Sequence, residues 1–340
     1  MRVEDFDYAL PTDLIAQEPV RPRDASRLLV LHRATGDVEH RRFRQVVEYL
    51  RPGDVAVFND TRVIPARLAG RKAGSGGRAE ALLLREREPD LWEAAVKPGR
   101  RIRNGARLVF GEGELVGDVV DTTPGGGRLI RFQATGDVGS ALRRAGEIPL
   151  PPYIHRALRR PEQYQTMYAR VNGSSAAPTA GLHFTPRVDK ALRERGVASA
   201  WITLHIGLAT FRPIRAGDVE DHDMHPEYCV VPPETVEAVR RARRAGGRVI
   251  AVGTTTARAL EAAAAGGSLQ PFAGETALYI SPGYRFKALD GLLTNFHMPR
   301  STLLVLLCAF AGREHVLRAY REAVERRYRF LSFGDAMLVV

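Results

Sequence analysis

The chain has 340 residues, 44% of them hydrophobic and 26% charged, and its 50 Lys and Arg against 39 Asp and Glu give a formal net charge of +11. That balance excludes disorder as the whole story, and the length predicts about two domains that can each bury a core without disulfides. The positive charge favours polyanionic partners, but only Lys72, Lys97, Lys190 and Lys287 are lysines, so part of it reflects a compositional bias toward Arg.

The first residues, Met1 to Asp7, carry acids where a secretory signal needs a basic start and an apolar run, so a cytoplasmic protein is expected. Asp5 to Pro11 and Ile15 to Pro19 read as irregular, Pro-punctuated chain leading to a strand at Leu28 to Leu31. Phe43 to Leu50 has helical spacing, and after the Pro52-Gly53-Asp54 turn a buried strand runs from Val55 to Phe58 and ends in Asn59-Asp60-Thr61-Arg62. From Val63 to Pro151 short apolar runs (Ala81 to Leu84, Trp92 to Val96, Arg107 to Phe110, Leu115 to Val120, Leu129 to Phe132) alternate with Gly-rich turns, the texture of a small β-barrel or sandwich.

Beyond Pro149-Leu150-Pro151-Pro152 helices and strands alternate: a helix ending over Leu192 to Val197, a strand at Ala200 to His205, a helix at Pro233 to Ala245, a strand at Arg248 to Val252 and a helix at Thr254 to Ala265. A strand at Thr276 to Ile280 and helices at Ser301 to Phe310 and Arg313 to Tyr328 close the chain. The fold class read from this order is mixed α/β: a main domain built from both chain ends, 1–62 and 152–340, with a small β-barrel domain inserted at 63–151. Cys229 and Cys308 are far apart and neither lies in a metal-type spacing, which points to a reducing compartment. The longest apolar run, Leu303 to Ala311, is about half of the ~20 residues that cross a bilayer, so no membrane partner is expected.

Three kinds of segment could carry chemistry. Val252-Gly253-Thr254-Thr255-Thr256-Ala257-Arg258 is strand, Gly turn and helix start, either an anion site or simply a capped helix; without a P-loop Lys it does not imply NTP hydrolysis. His222-Asp223-Met224-His225-Pro226-Glu227 gathers two imidazoles and carboxylates, suiting acid–base chemistry, metal ligation or an ordinary polar loop. Thr179 to Thr185, Leu204 to Gly207 and Thr294 to Pro299 each set a His beside apolar neighbours, and no G-x-S-x-G elbow accompanies Ser174 and Ser175, which argues against a serine hydrolase.

Read jointly, these blocks resemble the S-adenosylmethionine:tRNA ribosyltransferase-isomerases of queuosine biosynthesis. The likeness runs through Asp5-Phe6-Asp7-Tyr8, Phe58 to Leu68, Gly146 to Ile154, Ala176 to Thr185, His222 to Tyr228, Gly253 to Arg258, Thr294 to Leu304, Tyr328-Arg329-Phe330 and Gly334 to Leu338. Ala209, where Gly is expected, and Cys229, where an aromatic is usual, depart from the pattern. The resemblance implies transfer and isomerisation of the ribosyl moiety of S-adenosylmethionine onto 7-aminomethyl-7-deazaguanine at the tRNA wobble position, giving epoxyqueuosine and releasing adenine and methionine. S-adenosylmethionine would be consumed as a substrate, so no cofactor and no metal are expected, and the tRNA-binding protein would work as a monomer.

Under that reading His205, His222 and His225 are the candidates for proton transfer, with Glu227 or Asp223 orienting an imidazole or facing the sulfonium. Asp60, Thr61 and Arg62 suit a ribose hydroxyl, the methionine carboxylate or a tRNA phosphate, and Thr254, Thr255, Thr256 and Arg258 suit an anion, either that carboxylate or a phosphate. Thr179, His183, Phe184, Asn295 and His297 suit a base that needs stacking and edge hydrogen bonds. Two rival readings stand beside it: a metal-dependent hydrolase using His222, His225 and Glu227, and a non-catalytic RNA-binding protein.

Overall fold

The structure is a computed structural model that describes residues 1–123, 125–207, 214 and 216–340. Its contacts gather into two compact units, one comprising Met1–Thr61, Pro152–Arg170 and Pro178–Val340, the other Arg62–Pro151 and Val171–Ala177. Along the chain the strands are β1 (Arg27–Leu31), β2 (Val38–Arg42), β3 (Val55–Asn59), β4 (Thr61–Val63), β5 (Arg67–Lys72), β6 (Arg78–Glu88), β7 (Leu91–Lys97), β8 (Arg107–Phe110), β9 (Leu115–Thr122), β10 (Arg128–Ala134), β11 (Gly146–Glu147) and β12 (Val171–Ser174). They continue with β13 (Ala198–Leu204), β14 (Glu227–Val231), β15 (Val249–Val252), β16 (Phe272–Thr276), β17 (Gly291–Asn295) and β18 (Ala336–Val339). The helices are α1 (Val138–Ala145), α2 (Pro186–Glu194), α3 (Pro233–Arg244), α4 (Thr254–Ala263), α5 (Thr302–Ala311) and α6 (Arg313–Glu325).

In the first unit nine strands form one sheet in the order β16-β14-β13-β3-β15-β17-β18-β1-β2. Its centre, β13, β3, β15 and β17, is parallel. A parallel strand is covered on both faces, and accordingly every residue of β3, β15 and β17 is buried. One carboxylate levels the strand starts: Asp54 accepts from Arg248 Nη2 at 2.7 Å, from the Arg248 N–H at 2.8 Å and from the Arg51 N–H at 2.9 Å. Burial alone would raise the Asp54 pKa, but these charge-assisted bonds outweigh it and hold it below its ordinary value. With β3 and β15 in register at their starts, their carboxyl ends emerge side by side. Because β18 runs antiparallel to β17 and β1 parallel to β18, Asn295, Ala336 and Leu28 share that same edge.

In the second unit β5-β6-β7-β10-β9-β8 close into a barrel through the β5–β8 pairing, with β11 added on β5. Closure removes exposed strand edges and encloses Leu68, Leu83, Phe110, Ile130 and Phe132, against which Ala141 and Leu142 of α1 pack. Gly70 is what lets the seam close, since a Cβ there would stand 2.4 Å from the Val109 carbonyl oxygen. The strand expected at Thr276 to Ile280 lies earlier, at Phe272–Thr276, where it pairs antiparallel with β14. β17 and β18 carry no strand signal in the sequence, because both runs are buried throughout and therefore lack the alternation that marks a half-exposed strand.

Candidate active site

The carboxyl ends of the parallel strands gather polar side chains, the place where open α/β sheets bind ligands. Asn59, the last residue of β3, is fully buried; its amide donates to the Leu204 carbonyl at 2.9 Å and its Oδ1 accepts the N–H of Leu204 at 3.0 Å and of Thr61 at 3.1 Å. It thereby welds the ends of β3 and β13 and reaches toward the Thr255 hydroxyl at 3.5 Å. The next residues then have fixed directions. Buried Asp60 accepts from the Thr203 hydroxyl at 2.6 Å and from Arg170 Nη2 at 2.8 Å. The Thr61 hydroxyl meets His205 Nδ1 at 2.8 Å, and the half-buried His205 ring stacks on Tyr228 with centroids 6.4 Å apart and planes 20° apart.

Between β15 and α4 the backbone turns at Gly253, with φ of 97°, a conformation that favours glycine. Its N–H donates to the Leu293 carbonyl at 2.7 Å, and it offers no side-chain cap, so the first-turn amides of Thr254, Thr255 and Thr256 are left for another acceptor. One turn on, Arg258 Nη1 donates to Glu227 Oε2 at 2.5 Å and Nε to the Leu278 carbonyl at 3.1 Å, while Glu227 Oε1 accepts the Gly207 N–H at 3.1 Å. The pair is interior, with side chains only 3% and 6% exposed. Among the described residues, buried Arg258 Nη2 has no acceptor. A buried donor on a charged group is costly to leave unpaired.

At the end of β17 a chain of four polar groups runs from half-buried Thr179 into the core. The Thr179 hydroxyl donates to Asn295 Oδ1 at 2.9 Å, Asn295 Nδ2 meets His183 Nε2 at 3.2 Å, and His183 Nδ1 meets the Ser26 hydroxyl at 2.7 Å. Because the Asn295 amide must donate to Nε2, the proton belongs on Nδ1 and is given to Ser26. Phe43 stacks on this imidazole at 4.9 Å and meets Phe184 edge-on at 5.1 Å, so Phe184 is packed into the core. His297, also buried, shares a hydrogen bond of 2.8 Å between Nε2 and the Thr294 hydroxyl.

Burial, and after it the Arg23 and Arg329 guanidiniums, push His183 down to about 3. Burial likewise pushes His297 down to about 3. Both rings are therefore neutral in the folded protein, whereas the unfolded chain takes up their protons near the ordinary 6.5. Below that pH the unfolded state binds more protons, so stability falls with acid through the window from 6.5 down to about 3. Urea unfolding followed from about pH 7 to about pH 4 should show stability dropping with a slope approaching about two protons, and a flat profile would contradict it.

The remaining candidates lie apart from these networks. His222 is half-buried against Tyr279, ring centroids 5.4 Å apart, and burial followed by the neighbouring His225 lowers its pKa against the opposing pull of Asp223. Asp223 and His225 are exposed, as is Arg62 on β4 of the second unit. Ala209 lies outside the described residues. Cys229 is buried in β14, and burial pushes its thiol up to about 11, which suits a packing role. Among the described residues no three His, Cys, Asp or Glu side chains are placed to hold a metal ion together. Sequence reasoning missed Asn59 and Ser26: the first had a signal, an amide closing an apolar strand, while the second had none.

A parallel-centred α/β sheet with polar side chains and an open helix start at its strand ends, in a chain that also carries a closed barrel, places the protein among the α/β folds that bind ligands at their strand ends. A family model described as queuosine biosynthesis protein matches residues 3–339. The chain is 56% identical over 341 residues to the S-adenosylmethionine:tRNA ribosyltransferase-isomerase of Symbiobacterium thermophilum, and 56% identical over 342 residues to that of Moorella thermoacetica, each alignment covering 100% of both chains. It is also similar to the crystal structure of the S-adenosylmethionine tRNA ribosyltransferase of Thermotoga maritima, at 42% identity and a TM-score of 0.58 over 99% of this chain and 100% of that one. The chain belongs to the queuosine biosynthesis protein family, and it is an enzyme of ribosyl transfer and isomerisation.

Proposed function

We propose that this enzyme transfers the ribosyl unit of S-adenosylmethionine to the aminomethyl group of 7-aminomethyl-7-deazaguanine at the wobble position of tRNA. The ribosyl unit becomes an epoxycyclopentanediol, and adenine and methionine leave. The observation that carries this reading is the full-length likeness to relatives of that name, at 56% identity with no part of either chain left over. The protein acts in the cytoplasm as a monomer, and S-adenosylmethionine is spent as a substrate, without a resident cofactor.

The sulfonium acidifies the adjacent ribose C–H. A base takes that proton, adenine departs and is protonated, the amine of the modified base attacks, and the epoxide closes as methionine leaves. His205 is our choice for proton transfer: its ring is held by Thr61 and Tyr228 at a strand end, whereas His183 and His297 are fixed, neutral struts. His222 and His225 take the remaining proton transfers, and Asp223 and Glu227 orient those rings or face the sulfonium. Arg258 Nη2, which has no acceptor among the described residues, and the first-turn amides of Thr254 to Thr256, which Gly253 does not cap, suit the methionine carboxylate. Asp60 and Arg62 suit ribose or phosphate, and Thr179 and Asn295 the edge of a base.

Incubation with S-adenosylmethionine and tRNA carrying the aminomethyl base should release adenine and methionine in equal amounts, and tRNA with unmodified guanine should release neither. Intact S-adenosylmethionine with the modified tRNA would overturn the reading. Affinity for the tRNA should also weaken as salt rises, through release of counterions.

A further inference from the structure

The second unit carries a basic turn whose residues the mechanism above does not use. Between β7 and β8 the chain reads Lys97-Pro98-Gly99-Arg100-Arg101-Ile102-Arg103, and all four cations are exposed. The backbone beneath them is held firmly. Ile102 is fully buried in the barrel core. Arg128 on β10 donates to the carbonyls of Gly99 and Ile102, each at 2.8 Å, and Lys72 Nζ donates to the Arg101 carbonyl at 2.9 Å. Elsewhere in this unit Arg67, Arg107 and Arg144 each meet a carboxylate. Among the described residues none of Lys97, Arg100, Arg101 and Arg103 has one.

Like charges gathered on a fixed backbone repel one another, and a partner carrying regularly spaced negative charge offsets that repulsion. We propose that this turn docks the phosphate backbone of the RNA substrate, an inference that rests on the tRNA reading above. Guanidinium groups meet phosphate oxygens in bidentate fashion. The turn presents no aromatic ring on which a base could stack, so the contact is to backbone and indifferent to sequence.

The test uses the full chain with Arg100→Gln, Arg101→Gln and Arg103→Gln combined, a matched triple at paired arginines (Arg67→Gln, Arg107→Gln, Arg144→Gln), and a charge-keeping triple (Arg100→Lys, Arg101→Lys, Arg103→Lys). Binding of modified tRNA is measured across a salt series beside steady-state adenine release. The first triple should raise the Kd at least about tenfold at low salt and flatten the plot of log Kd against log salt by about two to three, with kcat at saturating tRNA unchanged. The Lys triple should restore the slope. Wild-type slope in the Gln triple, an equal loss in the matched triple, or no restoration by Lys would overturn the proposal. If the wild-type enzyme turns over tRNA while the Gln triple matches it, the docking proposal alone fails; if the wild type neither binds nor turns over tRNA, the functional reading falls with it.

Discussion

Replacing His205 with Gln is expected to lower kcat for adenine release by about 100- to 10,000-fold, the range over which a positioned acid or base contributes. The protein should stay folded, because the ring is only half-buried, a hydrogen bond such as that to Thr61 is worth about 1 kcal/mol, and the strand-end backbone bond from the His205 N–H to the Tyr228 carbonyl remains. Thr61→Val removes only the ring's anchor, so it should give a smaller loss in kcat and a shifted pH profile with little change in KM. Unchanged turnover in His205→Gln would strike this residue from the mechanism and move proton transfer to the 222–225 segment.

Arg258→Gln is expected to destabilise the protein by about 3–5 kcal/mol, because it strands the Glu227 carboxylate in the interior without its counter-charge. Urea unfolding measures this directly. The double variant Arg258→Gln, Glu227→Gln removes both charges and should recover most of that stability. If Nη2 serves the methionine carboxylate, the double variant should still bind S-adenosylmethionine at least about tenfold more weakly, since a charge-assisted bond is lost. Wild-type affinity in a stable double variant would reduce the pair to a structural role.

Much of the fold was legible in the chain itself. The change of texture at Val63 and its reversal after Pro151 mark the barrel, because short half-exposed strands need turns and alternation whereas the α/β part alternates whole elements. The Gly253 turn and the Thr-rich helix start were legible because positive φ and an uncapped first turn restrict which residues can stand there. Partners across the sheet were not. His183 lies 157 residues from Ser26 and Asn295 lies 112 from His183, and nothing local in either segment announces the other.

The sequence by itself determined most of the elements, the change of texture over the barrel and the family resemblance, all of which depend on local periodicity or on ordered motifs; it did not mark β17 and β18, whose continuous burial leaves no alternation. Only the tertiary structure decided how each histidine is held. In the sequence His183, His205 and His297 look alike, each beside apolar neighbours. Folding buries the first and last as neutral rings with hydrogen-bond partners and leaves His205 half-buried on Thr61. It also decided that Glu227 answers Arg258, because the register of β14 beside β13 and the packing of α4 bring together charges 31 residues apart in a place that excludes water. Desolvation and long-range pairing set the protonation and reach of these groups, and both are properties of the packed chain.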